Sequence, residues 1–408
     1  MAPGIFQRRG DPPWTLDYDG RPLPCAPGET VAEALLAAGE LATTRSLKFR
    51  RHRGPYCLWG DCGTCLARID GEPNVRACLT PVHDGQKVVS QNRLAGRGPD
   101  PSALADKFFR QGMDHHHLMV RPRALNEIMK EVARNLAGLG TLPDRVDDRG
   151  AQVQHLEPDV VVIGRGLAGR AAAQELRRRG LRCVTLERMP GNAVHEGDLD
   201  AGVFGIYPEE GVVCASSVEP RATDRIYTLR PRHLVIATGA RDTMLPIDGN
   251  DTPGVVSARG LQAAIERQGF RLPADVVVIG PDEPGERVAK QLGARHLRPE
   301  DVARIEGSDA VDEVRLTDGT KLATSLVALA PKPSPASELA RQAGADVRWN
   351  GSGFEVLREA PGGKVPVARV APWTLWAAGE VAGVQRGRAA HDGQVLAQAL
   401  CHDEGAKR

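Results

Sequence analysis

Apolar and polar positions alternate through WTLDYDG (residues 14–20), which predicts a strand, and Glu29-Thr30 then opens VAEALLAAGE, a short helix with little Gly or Pro inside. CLARIDGE and NVRACLTPV predict a strand pair turning near Asp70-Gly71, and QKVVSQ (86–91) a further short strand. A tail over 1–13 and a small β-rich domain with a single helix over 14–93 follow from this pattern. Residues 94–157 read as a connector whose clearest element is a helix over 123–138, with Leu125, Ile128, Met129, Val132 and Leu136 on one stripe suited to docking one domain on another. From 158 the pattern becomes strand, Gly-rich turn, helix, strand, as in α/β units. VVVIGRGLAG (160–169) and VVVIGPDEPG (276–285) are two copies of one strand-and-turn motif and predict two nucleotide-fold lobes. The first would occupy 158–270 and close with 346–400, the second 271–345, and 401–408 would be a tail. Asp318-Gly319 in EVRLTDGTKLATSLVALAP marks a hairpin turn in the second lobe.

Composition narrows the class. The 408 residues are 41% hydrophobic, and 53 Lys plus Arg stand against 52 Asp plus Glu, so no global field argues for nucleic acid or an anionic membrane as the partner. No apolar run reaches the ~18 residues of a membrane helix, and MAPGIFQRRGDPPW has no apolar core of a signal peptide, so a cytoplasmic protein without an integral membrane segment is expected. Of 8 cysteines, four crowd between Cys57 and Cys78 while Cys25, Cys183, Cys214 and Cys401 are scattered singly. That layout suits a metal site in a reducing compartment better than disulfides.

Cys57, Cys62, Cys65 and Cys78 have the spacing C-x4-C-x2-C-x12-C, and Gly60 and Gly63 let the loop CLWGDCGTC curl so that thiolates and backbone N–H groups converge. Four thiolates complete the ligand set of a [2Fe–2S] centre, and the first two intervals are the plant-type spacing. A structural zinc is the alternative, although such sites usually show two separated C-x2-C pairs. The preceding stretch RSLKFRRHRGPY carries Arg45, Lys48, Arg50, Arg51, His52 and Arg53. These are either a solvated surface or a counterweight to cluster charge or to an acidic partner.

In VVVIGRGLAGRAAAQELRRRGLRCVTLE, a β-branched strand runs into Gly164-x-Gly166-x-x-Gly169, then a helix and a second strand. Gly164 makes the tight turn, Gly166 admits a pyrophosphate to the helix N-terminus, Gly169 allows close helix–strand packing, and Glu187 can accept from ribose hydroxyls. Strands ending at Thr238-Gly239 in LVIATGA and at Gly379-Glu380 in TLWAAGEVAG resemble the flavin-binding landmarks of flavoproteins with two dinucleotide domains. FAD is the implied cofactor, with Glu380 toward a ribityl hydroxyl. In the second copy Asp282 replaces the middle glycine, and Glu283, Pro284 and Glu286 surround the turn. Like charges ~4 Å apart cost about 1 to 4 kcal/mol, enough to cancel a helix-dipole contribution, and RHLRPEDVARIEG offers no clear second strand ending in an acid. NAD(P) binding there is doubtful. Asp114-His115-His116-His117 invites a metal reading, but adjacent side chains diverge and interface or polar packing is the expected role.

The order from YDGRP through RSLKFRRHRGPY, the cysteine loop, GMDHHHLMVRPR, the first GxGxxG, ATGARDTMLPIDGNDTPGV and AAGEVAG resembles the alpha-type subunits of heteromeric flavoprotein amine dehydrogenases and oxidases: sarcosine oxidase alpha, opine oxidase, dye-linked proline dehydrogenase and the hydrogen cyanide synthase subunits. The resemblance covers residues 14 to about 400. It implies an N-terminal β-grasp [2Fe–2S] ferredoxin-like domain fused to a two-dinucleotide-domain, Rossmann-like flavoprotein module whose second nucleotide fold is degenerate. It also implies an electron-relay subunit, with the amine-oxidising FAD on an amino-acid-oxidase-like beta subunit and no catalytic base on this chain. Two alternatives stand beside it: a self-sufficient NAD(P)H-dependent flavin/iron–sulfur reductase, and a non-catalytic scaffold with an empty flavin site. The interval from Glu187 to Ala237, 50 positions, is shorter than such flavin domains usually devote to it. No C-x2-C redox pair stands beside the flavin motifs, so disulfide reduction is not expected.

Overall fold

The computed structural model describes residues 4–46, 51–91, 150–191, 194–218, 225–365 and 372–406. The connector helix over 123–138, the Asp114–His117 run, Lys48 and Arg50 lie outside them. The chain divides into two compact units, one built from the N-terminal domain with 244–331 and the other from 148–243 with 332–408.

In the N-terminal domain five strands lie in the order Arg21–Cys25, Trp14–Tyr18, Lys87–Ser90, Leu66–Ile69, Glu72–Arg76. The first and last strands of the chain segment, Trp14–Tyr18 and Lys87–Ser90, pair in parallel at the centre, and the outer pairs are antiparallel. This is the arrangement of a β-grasp sheet. Arg21–Cys25, a strand the sequence pattern did not mark because Pro22 and Pro24 interrupt it, sits at the sheet edge, where proline is tolerated. NVRACLTPV leaves the sheet at Arg76 and tightens into a 3-10 turn, Ala77–Leu79. Helix α1, Val31–Ala37, crosses the sheet. A capping box closes its start: Thr30 accepts from the Glu33 backbone and Glu33 accepts from the Thr30 N–H at 2.8 Å.

The same unit contains the second nucleotide lobe. Four parallel strands run in the order Val255–Ser257, Val327–Leu329, Val277–Ile279, Arg295–Leu297, and an antiparallel ribbon of Val302–Gly307, Val311–Leu316 and Lys321–Ala323 turns at Asp318-Gly319 as expected. Arg295–Leu297 is the second strand that the polar run around it concealed. The helix Ala258–Gln268, which the pattern assigned to the first lobe, belongs here, because the strand leading into it pairs with Val327–Leu329. The lobe therefore begins near 244 rather than 271.

The first residues are not a loose tail. Ile5 and Phe6 are buried, Gln7 and Arg271 exchange backbone hydrogen bonds of 2.9 and 3.0 Å, and Phe6 stacks on Phe270 with ring centroids 4.6 Å apart. One apolar core runs through Leu16, Leu35 and Val88 of the N-terminal domain to Leu261, Val278 and Ala328 of the second lobe. Arg267 meets Glu33, which is fully buried, at 2.6 Å. A buried carboxylate needs such a partner, since removing it leaves an uncompensated charge.

In the other unit eight strands form one sheet. Five are parallel, in the order Thr374–Ala377, His233–Ile236, Val160–Ile163, Cys183–Glu187, Asp198–Tyr207, and the sheet continues through Val212–Ser217 and Arg225–Leu229 to Gln152–Leu156. The last strand lies in the stretch read as connector. The helices Leu167–Arg178 and Ala389–Ala406 cover one face through Ala172, Leu176, Leu396 and Leu400 on Val160, Val162 and Trp376. The second of these helices absorbs most of the expected C-terminal tail. Trp376 Nε1 donates to His233 Nδ1 at 3.1 Å, so His233 carries its proton on Nε2 and donates it to Glu404 at 2.8 Å. No helix among the described residues is long and apolar enough to cross a membrane.

Phe6→Ala removes a buried ring shared by both parts of the first unit. The expected loss is about 3 kcal/mol, read as a lower denaturant midpoint with the unfolding slope unchanged.

Candidate cofactor sites

The helices beyond α1 are α2 (Leu167–Arg178), α3 (Ala258–Gln268), α4 (Asp282–Leu292), α5 (Glu338–Gln342) and α6 (Ala389–Ala406). Cys57, Cys62 and Cys65 lie on the loop between the Arg53 and Leu66 strands, and Cys78 on the 3-10 turn, whose Ala77 N–H donates to the Cys65 carbonyl at 3.2 Å. Cys57, Cys65 and Cys78 are buried and Cys62 is exposed. The loop curls tightly enough to hold Leu58 at φ 57°, a left-handed conformation that a branched side chain adopts only under constraint. Its reward is a set of converging donors: the N–H groups of Trp59, Asp61 and Cys62 lie 3.4, 3.3 and 3.4 Å from Cys57 Sγ.

The four sulfurs are close enough to govern one another's protonation. The thiols of Cys62 and Cys78 donate to Cys57 and, with the backbone donors, bring its thiol down to about 2; Cys62 is pushed up in return. Cys78 holds Cys65 down and is itself raised by Cys57 and Cys65. Among the described residues no three His, Cys, Asp or Glu side chains converge on one ion position. Cys62 and Cys78 both act on Cys57, and Cys78 acts also on Cys65, so the four sulfurs form one connected group. Four thiolates are the ligand set of a [2Fe–2S] centre. The isolated Cys25 and Cys183 behave oppositely: burial pushes their thiols up to about 11 and about 12.

The basic stretch before the loop does not stand free. Arg51 and Arg53 approach Asp251 at 3.8 Å, and His52 meets Asp309 at 3.2 Å. Arg51, His52 and Arg53 thus face acids of the second lobe.

In the other unit, Val160–Ile163 delivers the chain into Gly164, whose φ of 98° and close approach to the Ala237 carbonyl exclude a Cβ. Gly166 is the N-cap of α2 with open space where a side chain would be. The first N–H groups of α2 need acceptors, and the cradle fits a pyrophosphate. Glu187 ends the next strand and accepts from the N–H groups of Arg165 and Met189 at 2.9 and 3.0 Å, which fixes it beside the turn. Across the sheet, Gly239 and Gly379 follow neighbouring strands. Gly239 is open, and its carbonyl accepts from Ala336 at 3.0 Å. Thr238 donates its hydroxyl to the Ala336 carbonyl at 2.6 Å, so it braces the turn instead of offering that proton to a ligand. Glu380 opens the 3-10 turn Gly379–Ala382 at the same sheet end.

Several residues that hold this site carry no sequence signature. Asp392 is buried; its Oδ2 accepts from the Gly379 N–H at 2.8 Å and from Arg358 at 2.7 Å. Arg165, a variable position of the glycine motif, is buried with its guanidinium on Asp200 and Thr185.

The second copy of the motif is furnished differently. Asp282, Glu283 and Glu286 are all exposed around the first turn of α4, and His296 Nε2 hydrogen-bonds the Gly280 carbonyl at 2.9 Å, close to where a Cβ on Gly285 would sit. Arg298 follows the short second strand, where the first lobe has Glu187. The βαβ unit is complete, but its turn presents carboxylates to any phosphate.

Residues 11–93 match the family described as a 2Fe-2S iron-sulfur cluster binding domain, and residues 159–196 an FAD binding domain. Sarcosine oxidase subunit alpha of Rhizobium meliloti (strain 1021) is 26% identical over 83% of this chain and 41% of its own length. The hydrogen cyanide synthase subunit HcnA of Pseudomonas aeruginosa is 37% identical over 78 residues, 19% of this chain and 74% of that protein. The chain belongs to the family of sarcosine oxidase alpha and hydrogen cyanide synthase subunits. It spans less than half the length of the sarcosine oxidase subunits it matches. L-proline dehydrogenase from P. horikoshii shares the fold, with a TM-score of 0.70 and 17% identity over 99% of this chain and 76% of that one. As family membership and the two matched domains require, the cofactors are a [2Fe–2S] cluster and FAD.

Cys65→Ser is expected to abolish the visible absorption and the reduced-state EPR signal of the cluster while leaving flavin content unchanged. Asp392→Ala unpairs Arg358 and the Gly379 N–H, and is expected to weaken FAD retention about tenfold, equivalent to about 1.4 kcal/mol, in a flavin-release titration.

Proposed function

We propose that the chain is the electron-transfer subunit of a heteromeric dehydrogenase acting on an amine, imino acid or amino acid of the glycine, sarcosine, opine or proline type. In this reading it relays electrons from the flavin of an amino-acid-oxidase-like partner subunit through its own FAD and [2Fe–2S] cluster to a further acceptor, in the cytoplasm. The observation that carries it is the presence, on one chain, of a four-thiol cluster fit for two irons and a glycine turn fit for a dinucleotide, in a family whose named members are subunits. When bound, FAD accepts electrons in pairs and the cluster passes them singly.

The chain's own residues bind and orient. Cys57, Cys62, Cys65 and Cys78 hold the irons, and the N–H groups of Trp59, Asp61 and Cys62 stabilise thiolate charge on Cys57. Gly164, Gly166 and Gly169 admit the pyrophosphate to the start of α2, and Glu187 receives the ribose. Gly239, Gly379 and Glu380 face the flavin half, with Thr238 and Asp392 bracing their turns. No residue here is assigned as an amine-oxidising base. The carboxylates Asp282, Glu283 and Glu286 argue against the self-sufficient NAD(P)H reductase.

The test is anaerobic reduction of the oxidised full chain and of the complex purified with it. NADH and NADPH are expected to leave the flavin absorbance of the chain unchanged, and an amine or amino acid to reduce it only when the partner flavoprotein is present. Rapid bleaching of the isolated chain by NADH or NADPH would establish the rival reductase instead.

A further inference from the structure

The second nucleotide lobe makes a contact that nucleotide binding does not require. The loop residues immediately around the first cysteine are seated on the start of α3. Ser257, the N-cap of that helix, donates its N–H to the Tyr56 carbonyl at 2.9 Å and accepts from the Gly260 N–H at 3.1 Å. Gly260 lies so close to the Cys57 carbonyl that a Cβ there would collide with it, and the Leu58 side chain closes over the same spot. Tyr56 and Cys57 are built into the lobe's own core, packed with Ile247, Val255, Val277 and Leu329. Cys57 is also the sulfur that gathers three backbone donors. The loop therefore has one side fixed by its own N–H groups and the other by α3.

We propose that the second lobe has become the seat of the iron–sulfur loop, with Gly260 and Ser257 as positioning residues for Cys57. The inference rests on the reading that Cys57, Cys62, Cys65 and Cys78 hold the cluster. Gly260 permits the close approach of two backbones, and the positive end of α3 faces the loop, where it favours the extra negative charge of the reduced cluster.

Three full-length variants test this. Gly260→Ala introduces the Cβ, Ser257→Asp keeps an N-cap acceptor but adds a negative charge beside the loop, and Gln262→Ala alters α3 away from it. Iron and sulfide content, the EPR g-values of dithionite-reduced protein and the cluster midpoint potential are measured, with FAD content and thermal unfolding as controls on folding. Gly260→Ala is expected to shift the g-values and lose iron faster than wild type, and Ser257→Asp to keep its iron with a lower midpoint potential. Gln262→Ala should match wild type. Wild-type g-values and potential in both Gly260→Ala and Ser257→Asp would overturn the proposal. If Gly260→Ala fails to fold, the potential of Ser257→Asp alone decides, a fall supporting the proposal and no change overturning it. A wild-type chain without iron would remove the cluster reading itself, and this inference with it.

Discussion

Four sulfurs, three from one loop and Cys78 from the 3-10 turn, repel one another as thiolates, and the first unit meets that charge. Backbone N–H groups do so at Cys57, where Trp59, Asp61 and Cys62 point inward, and Leu58 accepts a left-handed backbone to let them. A curl of that kind is stable only when its surroundings over-determine it. The β-grasp sheet fixes Cys65 and Cys78 at the ends of its strands, α1 caps itself on Thr30 and Glu33, and Glu33 reaches Arg267 on α3. The loop is thus anchored to a sheet on one side and to a second domain on the other.

The flavin half follows a different constraint, the close approach of backbone to phosphate. Gly164 and the open cradle at Gly166 provide it, and the fixed carboxylate of Glu187 adds a ribose acceptor. The interval after Glu187 is short because Cys183–Glu187 is followed almost at once by Asp198–Tyr207, paired in parallel beside it, and the sheet then extends by antiparallel strands. On that side stands an ion-pair row of Arg165 with Asp200 and Arg177 with Asp198. Hydrogen bonds from Arg177 and Thr185 hold Asp198 well below the usual carboxylate range despite burial.

Motifs whose chemistry depends on local spacing were legible in the sequence. The cysteine loop, the strand, glycine turn and helix that lead to the Glu187 strand, and the Asp318-Gly319 hairpin form where their spacing predicts such elements. Long-range partnerships were not. Nothing local marks Phe6 as a core residue, since its partner Phe270 is far along the chain. Asp392 gains its role only from Gly379 and Arg358, which converge on it from elsewhere in the chain. Domain limits suffered for the same reason: α3 follows the first lobe in sequence, but the pairing of Val255–Ser257 with Val327–Leu329 assigns it to the second. The Arg295–Leu297 strand was hidden because three residues are too few to show alternation, and its parallel neighbour supplies the stabilisation that its own sequence lacks.

Whether one chain holds both redox centres is read from the stoichiometry of iron, acid-labile sulfide and released flavin in a single anaerobically purified sample of the full chain. Two irons and two sulfides with one FAD per chain are expected, following the ligand count of a [2Fe–2S] centre and a single intact glycine turn. One tightly held zinc in place of iron, or iron without any flavin, would contradict it.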